Sequence, residues 1–133
     1  VLMIRALHNL NRFESQAGTR TQALSAVRSM LKDDGLVGVV QHRAPETASD
    51  EWADGSRGYL KQSAVIAMFK EAGFHLIARS EINANPRDQP GADDMVWRLP
   101  PSLRTSKDDP ELRKAMMAIG ESDRMTLLFS KAP

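Results

Sequence analysis

A chain of 133 residues with 41% hydrophobic and 26% charged side chains can build one globular core and not two. Eighteen basic residues against seventeen acidic ones leave a formal charge of +1, which gives no general attraction to nucleic acid or to an anionic membrane surface. The absence of cysteine excludes disulfides, thiolate metal sites and thiol nucleophiles, and no apolar run approaches the roughly 20 residues of a spanning helix.

The chain opens on Val1 to Ala6, a short apolar run interrupted only by Arg5, which predicts an interior parallel strand covered on both faces. A polar turn follows, from Leu7 to Asn11. Thr19-Arg20-Thr21-Gln22 has the form of a capping box, and Leu24, Val27 and Leu31 recur at the spacing of one helical face, so a helix is expected from about Thr21 to Lys32, closed by Gly35. Leu36 to Val40 is a second continuous apolar run and reads as a second interior strand, ending at Gln41-His42-Arg43.

From Ala44 to Gly58 the chain lacks periodicity and carries Pro45, Asp50, Asp54 and Gly55, the composition of a long loop over a site, with Trp52 as its anchor. Val65, Met68, Phe69 and Ala72 then mark a helical face that ends at Gly73, and Phe74 to Ser80 reads as a third strand. The stretch Asn83 to Pro101, with four prolines, is an excursion without regular structure. Asp109-Pro110-Glu111 opens a short helix, on which Met116 and Met117 are expected to pack, and Arg124 to Ser130 forms a last strand. Strands alternating with helices imply an α/β fold with a mostly parallel sheet, and the short final connection implies antiparallel pairing of Phe74 to Ser80 with Arg124 to Ser130.

Local sequence adds a resemblance. The blocks Arg5-Ala6-Leu7-His8-Asn9, Gln41-His42-Arg43-Ala44-Pro45, Gly58-Tyr59-Leu60, Glu71-Ala72-Gly73-Phe74 and Ile119 to Met125 resemble, in order and over essentially the whole chain, predicted bacterial class I methyltransferases that use S-adenosylmethionine. The His-Arg-Ala-Pro and Gly-Glu-Ser-Asp-Arg blocks are the more specific. The resemblance implies a partial Rossmann-like sheet of parallel strands with an antiparallel C-terminal strand. It implies that residues 1–133 are the C-terminal half of a single methyltransferase domain, with the glycine-rich cofactor loop upstream of Val1. S-adenosylmethionine is the cofactor it implies, with Leu7, His8 and Asn9 beside it and an unidentified small molecule as substrate.

In open α/β sheets ligands lie beyond the carboxyl ends of parallel strands, so Leu7 to Asn11 and Gln41 to Ala44 are expected to face one crevice. His8 is the first candidate for a base or a substrate orienter, the alternative being a ring that packs against a neighbouring loop. His42 stands beside it. Arg43 is read either as a fork for an anionic substrate or as a salt-bridge partner of Glu46, Asp50 or Asp54. Tyr59, the only tyrosine, either offers its hydroxyl to substrate or packs. Arg5 is expected in a buried ion pair more than in contact with substrate. Asp123 and Arg124 read as structural and His75 as a surface residue. The histidine spacing carries no metal signature, and no G-x-S-x-G elbow suggests a hydrolase.

A second reading from another class is a non-catalytic domain that pairs with a partner chain, or with itself as a homo-oligomer, through an open sheet edge. No nucleic-acid or membrane partner is expected, and the compartment is left open with the cytoplasm as default.

Overall fold

The computed structural model describes all 133 residues. Four strands form one mixed sheet: β1 (Leu2–Ile4), β2 (Leu36–His42), β3 (Phe74–Ser80) and β4 (Arg124–Lys131), in the order β1-β2-β4-β3. β1 and β2 are parallel, with Met3 opposite Val39. β4 runs antiparallel to both its neighbours, placing Val39 opposite Leu127 on one side and Leu76 opposite Phe129 on the other. The expected antiparallel pairing of the last two strands is therefore present, and β4 also separates β2 from β3.

The helices are α1 (Leu7–Asn11), α2 (Glu14–Ala17), α3 (Thr19–Met30), α4 (Gln62–Glu71) and α5 (Pro110–Ile119). Residues expected as a polar turn after β1 are thus helical. α3 begins two residues earlier than expected and without a capping box. Gly18, at φ 62°, links α2 directly to α3, and the Glu14 carboxylate accepts from the Thr21 N–H while Gln22 donates to the Ala17 carbonyl. α5 opens as its sequence requires: the Asp109 side chain accepts from the Leu112 N–H at 3.0 Å, and Pro110 occupies the first turn. Met117, expected to pack, is exposed.

One face of the sheet carries the core. Met3, Val37, Val39, Met125, Leu127 and Phe129 project onto Leu7 of α1, Leu24 of α3 and Val65 and Phe69 of α4. Phe69 stacks on Phe129 with ring centroids 4.1 Å apart and meets Phe74 at 5.5 Å. The opposite face is uncovered: Leu2 is 75% exposed, Ile4 52% and Leu36 45%. This corrects the reading of β1 as an interior strand covered on both faces. β1 is an edge strand, and the apolar runs of β1 and β2 bury only alternate residues. No helix is long and apolar enough to cross a membrane.

The two irregular segments pack on each other. Ala44, Ala53 and Tyr59 from the loop after β2 form a second small core with Val96 from the excursion, flanked by Trp52 and Trp97. Trp52 does anchor its loop, stacking on Tyr59 and donating Nε1–H to the Ala92 carbonyl at 3.0 Å. Beneath it lies a buried ion pair, Arg98 to Asp88 at 2.9 Å, with the Tyr59 hydroxyl donating to Asp88 and accepting from Arg98 Nη1 at 2.8 Å.

Removing the ring at the centre of the main core tests this packing. Phe69→Ala should lower unfolding free energy by about 3 to 5 kcal/mol, because the stacked neighbours cannot collapse into the vacated volume. Urea denaturation followed by circular dichroism would read this as a lower midpoint at unchanged slope.

Candidate active-site cleft

A cleft of about 670 Å³ opens where β1 and β2 end, a volume suited to a small organic ligand. Three stretches of chain meet there: the strand ends with α1, the excursion through Trp97 and Arg104, and the turn before β4 with Ser122 and Arg124. His8, Asn9 and His42 line it, so two loops expected to share a crevice do share one. The histidine ring centroids lie 5.5 Å apart, and the Trp97 and His8 rings meet in a T-shaped arrangement with centroids 6.0 Å apart.

Gln41 sets the protonation of His8. Its fully buried amide donates through Nε2 to the carbonyls of Gly58 at 2.9 Å and His42 at 3.3 Å. Those bonds commit the nitrogen and turn Oε1 toward α1, where it accepts from the His8 backbone N–H at 3.2 Å and lies 3.3 Å from Nδ1. An oxygen facing Nδ1 requires the proton there, leaving Nε2 with a free lone pair. Burial, with Arg12 adding to it against the opposing Gln41 hydrogen bond, holds the His8 pKa below the usual histidine value. The ring is therefore neutral at neutral pH, as a base must be.

Gly55 presses the loop against this helix. At φ 103° it adopts a conformation that side chains rarely take, and a Cβ there would lie 2.4 Å from the His8 carbonyl oxygen. The loop can approach α1 so closely only because residue 55 has no side chain.

His42 is a different group. Burial first, then the charges of His8, Arg124 and Arg5, hold its pKa at about 3. An imidazole so reluctant to accept a proton is a poor general base near pH 7. Its Nδ1 is hydrogen-bonded to Ser122 Oγ, which suits a role in orientation.

Arg43 and Tyr59 lie outside the cleft. The Arg43 guanidinium is held by Asp123 through two contacts of 3.0 Å, by Glu81 at 2.8 and 3.1 Å, and by Gln62. These carboxylates raise its pKa, and they are not the loop acids named as its alternative partners. No donor is left over for a substrate fork. Tyr59 is fully buried, and its hydroxyl is committed to Asp88 and Arg98, with burial pushing its pKa up. Leu7 belongs to the core, so of the three residues assigned beside a cofactor only His8 and Asn9 line the cleft. Arg5, expected in a buried ion pair, is instead exposed, lies at φ 51° and also lines the cleft. His75 is exposed on β3 as expected, and no group of three His, Asp or Glu side chains is placed to hold a metal.

Sequence reasoning passed over Gln41, Ser122, Trp97, Arg12 and Arg104. Each lies on an element whose approach to the cleft depends on long-range packing, and only the polar Gln41 at the end of an apolar strand gave a local signal.

Two measurements check this description. Nitrogen-15 spectra at neutral pH should show His8 protonated at Nδ1 and bare at Nε2, and Gln41→Leu should abolish that preference. The melting temperature should fall as pH drops below 6.5, because the unfolded chain then takes up a proton at residue 42 that the native chain refuses until about pH 3. His42→Gln should flatten this slope.

No family model matches the chain, and no curated protein matches it either.

Proposed function

We propose that this chain is the C-terminal part of a class I S-adenosylmethionine-dependent methyltransferase domain acting on a small molecule. The observation that carries the reading is the cleft at the carboxyl ends of two parallel strands, lined by the buried His8, whose Nδ1 faces Gln41 Oε1 and whose Nε2 is thereby left without the proton. The sheet is compatible with it, since β1 and β2 run parallel and are followed by a helix and an antiparallel pair, as the resemblance implies.

S-adenosylmethionine, when bound, supplies an electrophilic methyl group. The residues here fit one wall of such a site: Asn9 and His8 offer polar groups beside the strand end, while none of the four strands is followed by a glycine-rich turn or by a carboxylate free for a ribose. What this chain contributes is therefore on the acceptor side. His8 Nε2 takes the proton that an acceptor hydroxyl or amine must lose, Gln41 holds the ring in the tautomer that allows it, and Trp97 and Ser122 shape the space around the acceptor.

A calorimetric titration of S-adenosylhomocysteine into the 133-residue chain and into the product of the complete reading frame tests this. Binding by the second should occur at micromolar affinity or better, on the order of −8 kcal/mol. Binding by neither sinks the reading.

One observation favours a second reading, a non-catalytic domain that associates through its open sheet. β1 is an edge strand, and the face carrying Leu2, Ile4 and Leu36 is uncovered and apolar. Sedimentation equilibrium of the chain should then show association that weakens when Leu2→Lys is introduced, and a monomer at every concentration would count against it.

A further inference from the structure

The cleft gathers positive charge that the chain as a whole lacks. Arg5, Arg12, Arg104 and Arg124 line it, with Glu121 as the only acid, in a protein whose formal charge is +1. Glu121 pairs with Arg124. Arg5, Arg12 and Arg104 make no side-chain hydrogen bond or ion pair with any protein group; Arg12 rests over the Phe13 ring and Arg104 over the Trp97 ring, at 4.8 and 5.2 Å from the ring centres. All three are exposed to solvent, and like charges gathered without protein counter-charges raise the local positive potential and favour binding of an anion.

A second observation is independent of charge counting. The Nε of Arg124 is the one buried side-chain nitrogen or oxygen in the molecule without a hydrogen-bond partner. The same guanidinium donates through Nη2 to Glu121, so the buried Nε–H leaves Arg124 incompletely satisfied beside the cleft that it lines. A third lies in the backbone. Arg5, at φ 51°, and Leu103, which precedes Arg104 and lies at φ 47°, are the two non-glycine residues of the chain in the left-handed region. Such strain persists where the surroundings enforce it and tends to occur at ligand clamps; here both strained positions deliver a guanidinium to the same cleft.

We propose that the cleft is a recognition site for a small polyanion, one carrying a phosphate monoester or two or more carboxylates, held by the forked guanidinia of Arg12, Arg104 and Arg124 with Arg5 at the rim. Guanidinium matches both anions with paired N–H donors, and the three charges without a protein partner, those of Arg5, Arg12 and Arg104, favour a ligand with more than one negative charge. As a statement about the methyl acceptor this rests on the methyltransferase reading. As a statement about binding it is independent of the cofactor.

The test uses Trp97 as reporter. Trp52→Phe keeps the stack on Tyr59 and leaves Trp97 as the only tryptophan. Inorganic phosphate and citrate are then titrated separately while its fluorescence is followed. A saturable change with phosphate, with citrate or with both supports the site, and the arm that responds names the anion it prefers. Arg12→Gln and Arg104→Gln, which break no ion pair, should each weaken binding about tenfold, the loss of a charge-assisted hydrogen bond. Arg113→Gln, on α5 away from the cleft, should change nothing. The absence of a saturable response to either probe, or an equal loss in Arg113→Gln, overturns the proposal. Neither probe involves S-adenosylhomocysteine, so a failure here and a failure of the methyltransferase reading are told apart.

Discussion

The Gln41 side chain is the contact through which the cleft is assembled. It sits fully buried at the end of β2, and all its hydrogen-bonding faces are used: two carbonyls on one side, the backbone and ring of His8 on the other. A buried amide with every group satisfied fixes its neighbours in a way that apolar packing does not, because each alternative orientation strands a donor or an acceptor in a dry environment. Strand, loop and first helix meet in the register that this one side chain allows. The ring of His8 inherits both its position and its proton from the same source.

The second constraint is the one-sided sheet. Helices α1, α3 and α4 account for one face, and the rings of Phe69, Phe74 and Phe129, the first stacked on the last and tilted against Phe74, show how completely it is filled. The other face keeps its apolar residues in the open, so the cleft lies at the end of a layer covered on one side only. Its far wall is supplied instead by the excursion, which has almost no regular structure and owes its shape to the small core around Tyr59 and Val96.

Much of the frame was legible in the residues. The helical faces of α3 and α4, Gly73 after the second of them, the Asp109-Pro110 opening of α5 and the antiparallel pairing of the final strands all follow from local patterns whose causes are local. What was not legible depended on contacts distant in sequence. A continuous apolar strand reads as buried on both faces, yet nothing in Leu2 or Ile4 says whether a covering layer is present. The Thr19 to Gln22 pattern has the form of a cap, but the group that reaches the Thr21 N–H is Glu14, seven residues earlier. Arg43 was recognised as a charged residue at a strand end, but its partners Glu81 and Asp123 come from segments 38 and 80 residues away. The gathering of arginines in the cleft is hidden for the same reason: they arrive from three separate stretches of chain.

The buried set of Tyr59, Asp88 and Arg98 bears on how such a chain can change over time. Removing Asp88 alone would take away the buried counter-charge of Arg98 and the acceptor of the Tyr59 hydroxyl, and removing Arg98 alone would leave a carboxylate in a dry pocket; either single step is costly, whereas exchanging the pair for apolar residues of similar size need not be. The three positions form a unit that drifts together or stays put, even though two of them lie in a segment whose composition looks free to vary. Among related sequences, the signature of this packing would be joint replacement at 59, 88 and 98 against a background of otherwise tolerant neighbours.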